Sequence, residues 1–204
     1  MITRVAGACH GGAIIGDVRL FYCLELPAVV RDVLTRLSSG LQARVRGGTW
    51  VAPENLHITL RFLGEVGEDL VPPLEGVGRE AAAQGEPFDL PLDRLGAFPH
   101  PARARVLWVG PVKDSAPFAI LSQTIEDGVQ ALGFPPERRL AHPHVTLARL
   151  RIPQDLAFVI GGTAPPFLQA RVDALTLMRS ELRSQGPLYR PVVRWPLGGG
   201  DRAV

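Results

Sequence analysis

Asn55-Leu56-His57-Ile58-Thr59-Leu60 is echoed far downstream by His142-Pro143-His144-Val145-Thr146-Leu147. In both stretches aliphatic and polar side chains alternate, the pattern of a half-buried strand. Residues two apart on a strand share a face. His57 and Thr59 therefore point one way and Ile58 and Leu60 the other, and His144 and Thr146 oppose Val145 and Leu147 in the same manner. The two stretches lie too far apart for a stacked solenoid repeat. They suit two similar lobes, each burying the aliphatic side of one strand and lending an imidazole and a hydroxyl to a shared cleft.

Outward from these strands, β-like runs alternate with amphipathic helical stretches. Val18–Leu24 reads as a strand running into a helix that starts at Pro27 and carries Val29, Val30, Val33, Leu34 and Leu37 toward Gly40. Further strands are expected over His57–Leu63, Phe88–Leu95, Val106–Val109 and His144–Leu150, and helices over Leu70–Ala83 and Phe118–Leu132, the latter stopped by Gly133. Phe167–Leu182 and Pro191–Trp195 form a closing hairpin with its turn near Ser184-Gln185-Gly186-Pro187. The fold class is α+β. Residues 1–17 read as an irregular leader and 198–204 as a flexible tail. Pro and Gly are scattered as punctuation and no long linker interrupts the chain, so 18–197 is expected to be a single two-lobed domain.

With 204 residues, 46% of them hydrophobic and 21% charged, the composition excludes wholesale disorder and fibrous structure. Apolar runs are broken by Gly, Pro or charge before they reach membrane-spanning length. Cys9 and Cys23 cannot form the framework of a secreted mini-protein, and a cytoplasmic setting is expected. A net charge of +2 is too small for a protein that coats long nucleic acid. Lys113 is the only lysine. Codon bias is a simpler account of the arginine excess than phosphate binding.

Two imidazoles and two hydroxyls converging on one point suit the cleavage of a phosphodiester. In-line displacement needs a base to deprotonate the nucleophile and, opposite it, an acid to protonate the leaving oxygen; histidine can do either near neutrality. Thr59 and Thr146 can hold the non-bridging oxygens, and Arg149 can add a full positive charge to the same group. One His-x-Thr strand would be weak evidence. A repeated one, using two of five histidines, is strong. His10, His100 and His142 are assigned no role. His142-x-His144 has no Cys, Asp or Glu close in sequence to complete a metal set, so no metal is expected. Cys23 reads as core, and no glycine-rich phosphate loop appears.

At these residues the chain resembles the 2H phosphoesterase superfamily, and within it the RNA 2′,3′-cyclic phosphodiesterase (2′-5′ RNA ligase-like) family. Pro53–Glu65 and His142–Arg149 resemble its two motifs, Arg105–Gly110 its central strand and Arg190–Leu197 its last strand; the likeness spans about residues 18–197. The resemblance implies a bilobal fold whose two antiparallel sheets form a V-shaped cleft with helices outside. It implies opening of RNA or nucleotide 2′,3′-cyclic phosphate ends to 2′-phosphomonoesters, with no cofactor or metal and by a monomer. His144 would be the general base and His57 the general acid, although the near-symmetry of the motifs leaves that order open. Thr59, Thr146 and Arg149 would bind phosphate, and Tyr22 and Phe62 would flank the base; Trp108 is assigned to the core. The alternatives are reversible 2′-5′ RNA ligation by the same histidines and a module that binds RNA ends without turnover.

Overall fold

The computed structural model describes residues 17–137, 141–164, 167–183 and 186–199. Its strands are β1 (Asp17–Glu25), β2 (Gly48–Trp50), β3 (His57–Gly67), β4 (Phe88–Leu92), β5 (Arg94–Phe98), β6 (Ala104–Gly110), β7 (Val145–Gln154), β8 (Leu168–Val172), β9 (Ala174–Arg183) and β10 (Gly186–Pro196). The helices are α1 (Ala28–Gln42), α2 (Val71–Gln84), α3 (Ala116–Ala131) and the short α4 (Ala157–Gly161).

All strand pairs are antiparallel. In the larger sheet the order is β10-β9-β1-β3-β7-β6-β5, with β2 also paired to β7, and β4 and β8 form a separate two-stranded sheet. The larger sheet consists of two halves. β10-β9-β1-β3 and β7-β6-β5 with β2 meet at one residue pair, Ile58 with Val145. Both side chains are fully buried.

The helices cover one side. Val30, Leu34 and Leu41 of α1, Leu74 and Ala81 of α2, and Phe118, Leu121, Ile125 and Val129 of α3 share a core with Ile58, Val145 and Leu147. This is the one-faced amphipathic packing that the 3.6-residue spacing dictates. His57 of β3, and His144 just ahead of β7, lie toward the opposite face.

The antiparallel α+β architecture matches the sequence reading, with several differences. Phe88–Leu95 is two strands in two sheets. Asp93 divides them, its N–H bonded to Gly110 O at 3.1 Å and its carboxylate accepting from Val112 N at 2.7 Å. Phe167–Leu182 is likewise divided at Asp173 into β8 and β9. β2 and α4 had no signal strong enough to anticipate. Asp17 is the first residue of β1 instead of leader, and residues 1–16 and 200–204 lie outside the described residues. So do Ser184 and Gln185 of the expected turn; Gly186 pairs with Arg183 across it.

Candidate active site

His57 opens β3, and His144 stands immediately before β7. The Nδ1 atoms of both rings lie 2.7 Å from the carbonyl two residues upstream, Asn55 O and His142 O respectively. A carbonyl can only accept, so both Nδ1 atoms carry protons and donate them. Nε2 is left as the atom that gains or loses a proton. Thr59 Oγ1 lies 3.0 Å from His57 Nε2. With Ile58 and Val145 turned into the core, His57, Thr59, His144 and Thr146 occupy the other face, all half-buried. Each imidazole has its pKa held below the ordinary histidine value. Burial is the main cause, opposed by the backbone hydrogen bond. For His57 the further lowering comes from His144 and Arg149, and for His144 from His142 and Arg149.

Arg149 reaches this face because of a β-bulge. Three residues beyond Thr146, strict alternation would turn it toward the core. Trp108 pairs with Thr146 but Leu107 pairs with Ala148, which leaves Leu147 as the extra residue. Leu147 and Ala148 are both buried, and Arg149 emerges exposed. Bulges re-aim side chains in this way. β3 repeats the device. Cys23 pairs with Thr59 and Tyr22 with Arg61, so Leu60 is the extra residue, and Phe62 emerges 52% exposed. Phe62 and Arg149 thus hold matching positions in the two halves.

Tyr22 is a correction. It lies on the core side of β1, fully buried, and its hydroxyl donates to Leu74 O at 2.5 Å. Its neighbour Phe21 has the site side, with ring centroids 5.0 Å from His57 and 5.6 Å from Phe62. Tyr189 of β10 closes this cluster, 5.3 Å from His57 and edge-on to it. Around His144 a second aromatic group forms. Phe98 stacks on Trp108 at 5.0 Å and lies near-perpendicular to the His144 ring, also at 5.0 Å. Trp108 is buried as expected of core, yet its pairing with Thr146 puts it beneath the site. Phe21, Phe98 and Tyr189 were missed. Alternation from Thr59 or Thr146 could have found the cross-strand neighbours only once the register was known. His142 supplies the carbonyl that orients His144, a role invisible in its side chain. Cys23 is buried, and desolvation together with Glu25 raises its thiol pKa, leaving it protonated.

A cavity of about 490 Å³, lined by Leu60, Arg61, Phe118, Glu126, Glu137 and His142 among others, includes neither His57 nor His144. Among the described residues no group of three or more His, Cys, Asp or Glu side chains is arranged to hold a metal ion. Nor is any described helix long and apolar enough to cross a membrane.

Residues 24–108 and 109–189 each match the family model described as LigT like Phosphoesterase. The chain belongs to this family. The two matches divide the LigT-like protein between its two His-x-Thr motifs, one in each segment. A relative from Methanothermobacter thermautotrophicus, named RNA 2′,3′-cyclic phosphodiesterase, is 35% identical over 176 residues, covering 84% of this chain and 95% of its own. One of the same name from Thermus thermophilus is 32% identical over 191 residues, covering 89% and 91%. Among solved structures, E. coli LigT complexed with 3′-AMP superposes with a TM-score of 0.75 at 28% identity, covering 89% of this LigT-like chain and 98% of that one. The Thermus thermophilus protein TT0787 gives 0.74 at 31% identity, with the same coverage.

Proposed function

We propose that the protein hydrolyses RNA or nucleotide 2′,3′-cyclic phosphate ends to 2′-phosphomonoesters, with His57 and His144 as acid and base and no metal. The observation that carries this reading is the matched pair of imidazoles, one from each half of the sheet, both with Nδ1 committed to a main-chain carbonyl and Nε2 left to exchange a proton. The activity named for relatives at 32–35% identity supports the substrate class. His144 Nε2 takes a proton from water as its oxygen attacks phosphorus. The P–O3′ bond breaks, and His57 Nε2–H protonates the departing 3′ oxygen. Thr59, Thr146 and Arg149 hold the non-bridging oxygens, where positive charge and hydroxyl donors offset the charge that grows in the transition state. Phe62 flanks the base, while Phe21, itself buried, packs behind the His57 and Phe62 rings. The working unit is the single two-lobed domain of 18–197, a cytoplasmic monomer without cofactor.

His57→Ala and His144→Ala are each expected to lower kcat on 2′,3′-cyclic AMP by about 10²–10⁴-fold while 2′-AMP binding changes little. Wild-type turnover in either variant would overturn the roles. Chelator is expected to leave activity intact, and the product should be the 2′-monophosphate; a 3′-monophosphate would reverse the choice of leaving oxygen.

A further inference from the structure

We propose that Arg105 and Arg151 form a track beyond the phosphate pocket for the backbone of a single-stranded RNA, so that the preferred substrate is a strand end and not a free nucleotide. This rests on the hydrolytic reading above, which it deepens. Arg151 lies two residues past Arg149 along β7. Beside it, the β6–β7 register is interrupted between Ala104–Gln154 and Val106–Arg149, and Arg105 falls in the gap. Arg105 Nη1 donates to Arg151 O at 3.4 Å, so two exposed cationic residues stand together on adjacent strands.

Like charges placed side by side are unfavourable unless something neutralises them. Among the described residues neither arginine has a carboxylate within ion-pair distance, and the same holds for Arg149. In the other half of the sheet, Arg19, Arg183, Arg190 and Arg194 each sit 2.8–3.7 Å from an Asp or Glu oxygen. Of the exposed arginines on the described strands of this sheet without such a partner, Arg149 and Arg151 lie on the strand that leads away from His144 and Arg105 stands beside them; Arg94 of β5 and Arg179 of β9 are the others. Along β7 the charge is laid out in a line, Arg149 then Arg151, with Arg105 beside it. A guanidinium fork is suited to phosphate oxygens, and a polymer with one negative charge per nucleotide presents them in series. A free cyclic nucleotide has only the phosphate at the histidines and gains nothing from residues farther along β7.

The test is Arg105→Gln/Arg151→Gln, measured on a short single-stranded RNA and on 2′,3′-cyclic AMP. For RNA ending in a 2′-phosphate, the fluorescence-anisotropy Kd is expected to rise about tenfold, two exposed charge pairings each being worth up to a few-fold. The slope of log K against log salt should become shallower by about 1.4, at ~0.7 for each phosphate no longer neutralised on a single strand. kcat/KM on 2′,3′-cyclic AMP should stay within about twofold. Arg171→Gln, which removes an exposed arginine already paired with Asp89, serves as the charge control and should leave RNA affinity unchanged. An unaltered Kd, an equal loss on 2′,3′-cyclic AMP, or the same weakening from Arg171→Gln would each overturn the track. The binding arm needs no turnover, so failure of the hydrolytic reading and failure of the track are distinguishable.

Discussion

An imidazole whose Nδ1 proton is committed to a main-chain carbonyl is set in one tautomer, and in both halves of this protein that carbonyl lies two residues upstream. The remaining nitrogen titrates below the usual histidine value, chiefly because the charged ring is poorly solvated. Two consequences can be measured. The bell-shaped profile of kcat/KM should be centred below about pH 6.5. Arg149 disfavours a second positive charge on both rings, so Arg149→Met should move both limbs to higher pH while lowering kcat/KM; a profile that stays in place would exclude this coupling. Stability follows the same sign. Below about pH 6.5 the unfolded chain binds protons that the folded protein resists, so stability is full above that value and falls as pH drops toward the folded-state pKa. Urea midpoints should therefore decline on acidification, and His57→Gln should flatten the decline.

At the scale of elements, the paired strands were readable because alternation needs no partner: His57 with Thr59, and His144 with Thr146, share faces by parity alone. Parity failed wherever a bulge intervened. Arg149 lies an odd number of residues from Thr146, and only Leu147, doubled against β6, returns it to the site. Tyr22 was expected at the base, but its neighbour Phe21 takes the site side of β1. What separates them is which side of β1 the helices cover, a tertiary fact, and α2 takes Tyr22 through Leu74 O. The break at Asp93 escaped for a related reason: its turn is held by Gly110 and Val112, distant in sequence. The same helix offers a paired test of packing against propensity. In α2 a Cβ on Gly78 would lie 2.4 Å from the Trp195 ring, whereas one on Gly76 meets nothing within 4 Å. Alanine in place of glycine favours a helix by about 1 kcal/mol, but forcing atoms into a filled core costs about 1–3 kcal/mol. Gly76→Ala should raise the urea midpoint and Gly78→Ala should lower it.

Across the whole molecule, one ionic cluster ties the first half to the second. Arg61, on the core side of β3 and 9% exposed, donates to Phe62 O, Pro135 O and Glu137 Oε2, and its Nε lies 2.7 Å from Glu126 of α3. Removing one member of a buried ion pair leaves the other uncompensated and destabilises by about 3–5 kcal/mol. Arg61→Ala should show a loss of this size in urea, and Arg61→Ala/Glu126→Gln should recover part of it; additive losses would mean that the pair is not coupled. Among the described residues, the only ladder pairing between the halves remains Ile58 with Val145. The proposed proton donor and acceptor, His57 and His144, consequently belong to different halves of one sheet, joined at a one-stitch seam. Because that pair is fully buried, a lesion at the seam is expected to cost core packing as well as the alignment of the two imidazoles.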